Sequence, residues 1–208
     1  MMKLGVLSAR YESAAAGEDA IGWDPAGEAS YGSYQVATKV GTMLAFLNFC
    51  RDNAEYEAIN DALRPLIADM TSKRGKFAAK WREIADPTDT GKGLENMLRE
   101  AEHEFILETH YKPALAKLPA AAQAIILDSP TLQQVLWSTC VQHRPPTVQF
   151  LFSAACRPNR SNVDIIRDIY DGRKQRLGGL PAKMKANIIN NRYIPECNRA
   201  LELLKVEG

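Results

Sequence analysis

The chain predicts an all-α fold with at most one small β-hairpin, near residues 20–33. Three observations lead there. Apolar residues recur at three- and four-residue steps, as in Val36, Val40, Met43, Leu44, Leu47 and Cys50, which is the period of an amphipathic helix. Helix starts are well marked, most clearly in Asp128-Ser129-Pro130, where Ser129 can cap and Pro130 suits the first turn. The one long stretch without that period lies between Arg10 and Gly32, where Gly17, Gly22, Pro25, Gly27 and Gly32 break any helix.

In order, Lys3 to Ser13 reads as a short helix bearing Leu4, Val6, Leu7 and Tyr11. The Gly-rich excursion follows as a loop or small hairpin. Tyr34 to Arg51 then reads as helix, and Asp52-Asn53 as the break before Glu55 to Met70, within which Pro65 should kink the chain. Thr71-Ser72 caps a helix holding Phe77, Trp81 and Ile84 that Asp86-Pro87 ends. Thr90 to His110 is a long amphipathic helix with Leu94, Met97, Leu98, Ala101, Phe105 and Ile106 as its stripe. Tyr111–Lys117 and Pro119–Leu127 are shorter segments around prolines.

The helix starting at Ser129-Pro130 buries Leu132, Val135, Leu136 and Cys140 and runs toward His143. Pro145-Pro146 should stop it and Thr147 cap the next, through Val148, Leu151, Phe152 and Ala155. Ser161 or Asn162 starts another over Val163, Ile166, Ile169 and Tyr170. Leu177 to Pro181 is a turn, and Ala182 to Leu204 returns to helix with a break expected near Tyr193-Ile194-Pro195.

Composition excludes several function classes. A chain of 208 residues suits one domain over 1–208, with two lobes and a cleft between the N-terminal stretch and the later helices as the expected layout. With 46% hydrophobic and 25% charged residues it reads as an ordinary globular protein. A formal net charge of +1 gives no global electrostatic case for nucleic acid. Between Arg157 and Arg192 basic residues outnumber acids, a run that includes Arg173 and Lys174 and reads as a solvated basic face or a contact for an anionic partner. Cys50, Cys140, Cys156 and Cys197 have no CxxC spacing, which argues against a metal site or a dense disulfide framework, and one disulfide stays open. The apolar run at the N-terminus is short for a signal peptide, and no window approaches membrane-spanning length. His103 and His110 stand seven residues apart, not the four of a His-Glu-x-x-His zinc helix. Cys140 with His143 could form a nucleophile pair on one helix face, but no orienting acid accompanies them.

The chemistry gathers in RYESAAAGEDAIGWDPAGEASYGSYQVAT, Arg10 to Thr38. Cleaving a glycosidic bond needs a protonated carboxyl group at the leaving oxygen and a second, ionised carboxylate as nucleophile or base. Glu12 suits the acid, since it follows an apolar turn and would press against the core. As a mere surface carboxylate it would sit at a helix C-terminus, where the dipole disfavours an anion. Asp24, on the polar loop Gly22-Trp23-Asp24-Pro25, suits the second role, with Glu18, Asp19 and Glu28 as competitors.

The order Tyr11-Glu12-Ser13, Asp24-Pro25-Ala26-Gly27, Ser30-Tyr31-Gly32-Ser33-Tyr34-Gln35 resembles the lysozyme-like superfamily. It is most similar to the chitosanase-like, peptidoglycan-cleaving domains fused to type VI secretion spike proteins and related phage tail lysozymes. Glu28 stands where that pattern has its second glycine, and Ala14-Ala15 where a glycine-rich pair is common. Trp137 to His143 resembles the helix of those domains that ends in Val-Gln-His, here followed by Arg144-Pro145-Pro146 rather than glycine.

The resemblance implies a lysozyme-like fold and a cofactor-free, metal-free muramidase acting on the β-1,4 bond between N-acetylmuramic acid and N-acetylglucosamine. Glu12 and Asp24 would be catalytic, and Ser30, Tyr34, Gln35 and His143 would hold the glycan. Tyr31 reads equally as core. A lytic transglycosylase, a chitosanase or a non-catalytic glycan-binding module are the alternatives. The implied partners are peptidoglycan strands, a secretion spike or phage tail component, and a cognate immunity protein. The implied place of action is the periplasm or cell wall of a target bacterium, for a protein made in the cytoplasm.

Overall fold

The helical period carries through to an α-rich fold with one small antiparallel sheet. The computed structural model describes residues 3–12, 19–24, 28–39, 41–88 and 94–207, without the side chains of Arg10, Glu12 and Asp24. Readings that rest on Ser13 to Glu18, Pro25-Ala26-Gly27, Val40 and Thr90 to Gly93 lie outside the described residues. The chain groups into two compact units. One comprises Arg10–Leu107, and the other Met1–Ala9 with Glu108–Gly208.

The Arg10–Leu107 unit holds the sheet. Strand β1 (Ile21–Asp24) pairs antiparallel with β2 (Glu28–Tyr31), and β2 with the short β3 (Val36–Ala37). The register sets Gly22 opposite Ser30 and Asp24 opposite Glu28. Along β2 the burial alternates, with Ala29 and Tyr31 inside, as one sheet face against a core requires. The expected hairpin thus gains a third strand. Its pairing delays the helix expected from Tyr34: α2 spans Thr42–Asp52. Thr38 closes the sheet, its backbone N–H and its hydroxyl both donating to the Ala29 carbonyl at 3.0 Å.

Behind the sheet pack α3 (Glu57–Leu63), α4 (Lys76–Ala85) and α5 (Leu94–Ile106). As expected, Pro65 ends α3, and a 3-10 turn over Arg64–Asp69 follows. The core is aromatic. Tyr31 meets Phe77 at 5.1 Å and Trp81 at 5.3 Å between ring centroids, and Phe46 meets Phe105 at 5.5 Å. Tyr31 is fully buried, and its hydroxyl donates to the Met70 carbonyl at 2.7 Å. Its role is therefore core packing with its polar tip satisfied.

The first helix starts later than the Lys3–Ser13 reading has it. Residues 4–8 form turns, and α1 spans Ala9–Glu12 at the boundary of the units. Buried Gln134 replaces helical bonds there, donating to the Lys3 carbonyl at 2.7 Å and accepting from the Leu7 N–H at 3.4 Å. Gln134 lies on α8 (Pro130–Gln142), a helix buried almost all round, which marks it as the centre of its unit. Ser129 caps it, accepting from the Leu132 N–H at 3.2 Å. Around it stand α6 (Lys112–Ala116), α7 (Ala120–Leu127), α9 (Pro145–Ala155), α10 (Asn162–Gln175), α11 (Ala182–Ile188) and α12 (Ile194–Lys205).

Proline behaves in two ways that the sequence reading did not anticipate. Pro145 and Pro146 start α9 instead of only stopping α8, because the first helical N–H groups need no intrahelical partner. Pro113 and Pro195 do not break the chain into separate helices. Each follows a π-helical turn, Leu107–Tyr111 and Ile189–Tyr193. Proline removes the donor for the carbonyl four residues back, Thr109 or Asn191, and a wider i→i+5 turn absorbs that loss.

Arg173 departs from the basic-face reading, while Arg157, Arg160, Arg167 and Arg176 are exposed. It is fully buried, with its guanidinium carbon 4.7 Å from the ring centroids of both Tyr170 and Tyr193. It donates to Gln142 Oε1 at 2.6 Å and Ser138 Oγ at 3.2 Å, and it faces the equally buried Glu196 at 3.6 Å. Arg192 approaches the same carboxylate at 3.5 Å, and the Ser138 hydroxyl donates to it. Burial alone would lower the Arg173 pKa, but Glu196, Tyr170 and Tyr193 together outweigh it and the net direction is upward. Removing one member of such a pair leaves the other charge uncompensated. Arg173→Ala should lower the free energy of urea unfolding by about 3–5 kcal/mol, and a loss below about 1 kcal/mol would show that solvent reaches Glu196.

Candidate functional site

The turn after β2 brings three of the sequence-predicted residues together. Gln35 has a left-handed backbone, φ 51°, uncommon for a residue with a side chain. Its own amide braces it. Nε2 donates to the Gly32 carbonyl at 2.9 Å, while Oε1 accepts from the Ser30 hydroxyl at 2.7 Å. The amide lies over Gly22 on β1, so that a Cβ there would overlap it and stand 2.7 Å from Ser30 Oγ. Gly22, Ser30 and Gln35 are thus one fitted group.

Tyr34, half-buried, hydrogen-bonds through its hydroxyl to Nδ1 of His103 at 3.2 Å, with the donor set by the imidazole tautomer. Glu102, the residue before His103, is fully buried. Its Oε2 accepts from the Ser33 N–H at 3.3 Å, and its carboxylate fills the space that a Cβ on Gly32 would need. Gly32 is also at φ 75°, so glycine is required there twice over.

Of the two proposed catalytic carboxylates the backbone alone is described. Glu12 is the last residue of α1, and Asp24 the last of β1, opposite Glu28 on the sheet that carries Ser30. Both belong to the Arg10–Leu107 unit with the turn. His143 belongs to the other unit, where it ends α8 and its Nε2 lies 3.3 Å from the Tyr193 hydroxyl. Its described hydrogen-bond partner is therefore a tyrosine. Burial pushes the Cys140 thiol up to about 12, so it stays protonated and is no nucleophile beside His143.

Sequence reasoning missed Glu102 and weighed His103 only as a metal ligand. The signal for Glu102 was present: it sits on the apolar stripe of α5, between Leu98, Ala101, Phe105 and Ile106. A carboxylate on a core-facing stripe needs donors, and those lie on the turn. Among the described residues, no group of three or more His, Cys, Asp and Glu side chains is placed to hold a metal ion. No described helix is long and apolar enough to cross a membrane. The four cysteines are free.

Comparison with known proteins gives two findings. A family model described as type VI secretion system spike protein VgrG3-like, C-terminal, matches residues 4–192. The chain is also 26% identical over 167 residues to the type VI secretion system spike protein VgrG3 of Vibrio cholerae serotype O1 (strain ATCC 39315 / El Tor Inaba N16961). That similarity covers 79% of this chain and 14% of the relative, so the chain corresponds to a small part of the spike protein.

His143 offers a test of its surroundings. Burial, then the positive charges of Arg173, Arg192 and Arg176, pushes its pKa from 6.5 down to about 4. The unfolded chain therefore takes up the proton first as pH falls. The stability from a neutral His143 is whole above pH 6.5 and is lost as pH drops toward 4. Allowing for solvent screening at a half-buried ring, the loss should be about 1–2 kcal/mol. Thermal melts of wild type and His143→Gln between pH 7 and 4 should converge on acidification, and parallel curves would show that the ring is solvated.

Proposed function

This chain belongs to the VgrG3-like C-terminal family of type VI secretion spike proteins, and from that premise we propose that it is a peptidoglycan hydrolase. In this reading it is a lysozyme-like muramidase that cuts the β-1,4 bond between N-acetylmuramic acid and N-acetylglucosamine. The observation that carries the reading is the company the carboxylates keep. Glu12 closes α1 and Asp24 closes β1, within the unit that also carries the braced Ser30–Gln35 turn.

Glu12 would protonate the glycosidic oxygen as the bond breaks. Asp24 would stabilise the positive charge that develops on the sugar, or activate the water that attacks it. Ser30 and Tyr34 would present hydroxyls to the glycan. Gln35, whose amide joins Ser30 to Gly32, would hold Ser30 in place as well as line the glycan site. The protein would travel with a secretion spike and act on the wall of a target bacterium, where a cognate immunity protein would be its inhibitor.

The test is digestion of purified peptidoglycan, read by mass spectrometry of released fragments. Wild type should release disaccharide-peptides. Glu12→Gln should lower the rate by about 10²–10⁴-fold with an unchanged melting temperature, because the amide has no proton to give. Reducing ends identify a hydrolase and anhydro ends a transglycosylase. Equal rates from wild type and Glu12→Gln would remove Glu12 from the chemistry. Wall binding without fragments would favour a glycan-binding module.

A further inference from the structure

The contacts of α5 with the turn extend the site beyond the residues that touch sugar. Glu102 and His103 are consecutive on this helix, so their side chains point about 100° apart. Neighbours in a helix seldom serve one small target. Yet Glu102 takes the Ser33 N–H and seats Gly32, while His103 meets the Tyr34 hydroxyl. The turn therefore wraps α5 and is held at two places. Glu102 is fully buried and out of reach of any polysaccharide. Tyr34 is half-buried, with its hydroxyl direction governed by an imidazole rather than by solvent.

We propose that Glu102 and His103 are positioning residues of the glycan-binding turn, Glu102 fixing the backbone path of Gly32-Ser33 and His103 fixing the direction of the Tyr34 hydroxyl. The inference rests on reading that turn as part of the glycan site. The pair would act on how sugar is held, a role distinct from the bond breaking proposed for Glu12 and Asp24. A preset hydroxyl meets its sugar partner without first being ordered, and the gain appears as affinity. Packing alone would need neither a histidine opposite Tyr34 nor a carboxylate under Gly32.

The experiment is a double-mutant cycle on the full chain, with purified sacculi as substrate and kcat and KM measured separately. Tyr34→Phe and His103→Gln should each raise KM roughly three- to tenfold, the worth of one hydrogen bond. Their kcat should stay within about twofold. The double variant should be no worse than Tyr34→Phe, since without the hydroxyl His103 has nothing to direct. Glu102→Gln keeps an oxygen for the Ser33 N–H and should hold KM near wild type, whereas Glu102→Ala should raise it. If the Glu102 variants fail to fold, the Tyr34–His103 cycle decides alone.

Additive KM effects, or activity that falls only in step with melting temperature, would overturn the proposal. If wild type binds sacculi without cutting them, the cycle is read in the dissociation constant with the same expected coupling, and only the hydrolase reading falls. Wild type that neither cuts nor binds sacculi overturns both.

Discussion

A carboxylate taken out of water must be met by donors, and each unit of this protein is arranged around one such demand. Glu102 in the first and Glu196 in the second are both fully buried. An isolated charge in that position would be intolerable, and the surrounding chain supplies what water no longer does. For Glu196 the answer is charge: Arg173 and Arg192 approach it while the Ser138 hydroxyl donates. Those groups stand on α8, α10 and the π turn before α12, so one carboxylate ties together the elements around the central helix. For Glu102 the answer is backbone, a bare glycine and an N–H from the turn. The first solution fixes packing, and the second fixes the surface from which chemistry is proposed to occur.

That distinction explains what could be read from the residue string. The apolar stripes of α5, α8 and α10 were legible because burial of such a stripe against a neighbour has no competing solution. The caps at Ser129 and Ser161 were legible for the same reason, each hydroxyl accepting a helical N–H as its position suggests. The sheet was only half legible. Val36 is as apolar in a strand as in a helix, and its pairing with Tyr31 depends on the turn conformation between them. A short apolar run followed by a real helix reads as one longer helix unless the turn is recognised. The left-handed Gln35 is what a sequence pattern does not announce.

The candidate site divides along the same line. Glu12 and Asp24 stood out as carboxylates around a Gly-rich stretch, and Ser30, Tyr34 and Gln35 through the resemblance to lysozyme-like domains. The residues that brace them did not. Glu102 looked like one of many acids on a charged helix, and His103 like half of a metal motif with the wrong spacing. Arg173 looked like one more cation in a basic run, although it sits on the buried face of α10 with Ile166, Ile169 and Tyr170. A charge at a core-facing position of a helical stripe is the shared signal. It marks a residue whose partner lies far away in sequence, 69 residues for Ser33 and Glu102 and 35 for Ser138 and Arg173. Helical period finds the position, and only the fold finds the partner.

The same logic separates His103, which the sequence offered only as a mis-spaced metal ligand, from His143, which the resemblance assigned to the glycan. His143 is held toward its neutral form by burial and then by the charges of Arg173, Arg192 and Arg176. A neutral imidazole donating or accepting toward Tyr193 sits beside an already cationic cluster. His103 instead meets a tyrosine on a strained turn, beside a carboxylate that seats the same turn. Tyrosine–histidine contacts of nearly equal length, 3.2 and 3.3 Å, thus carry different weight. Length and residue type alone do not separate them. What the tyrosine is attached to does: Tyr193 belongs to a helix interior, and Tyr34 to the turn that binds the sheet to α5.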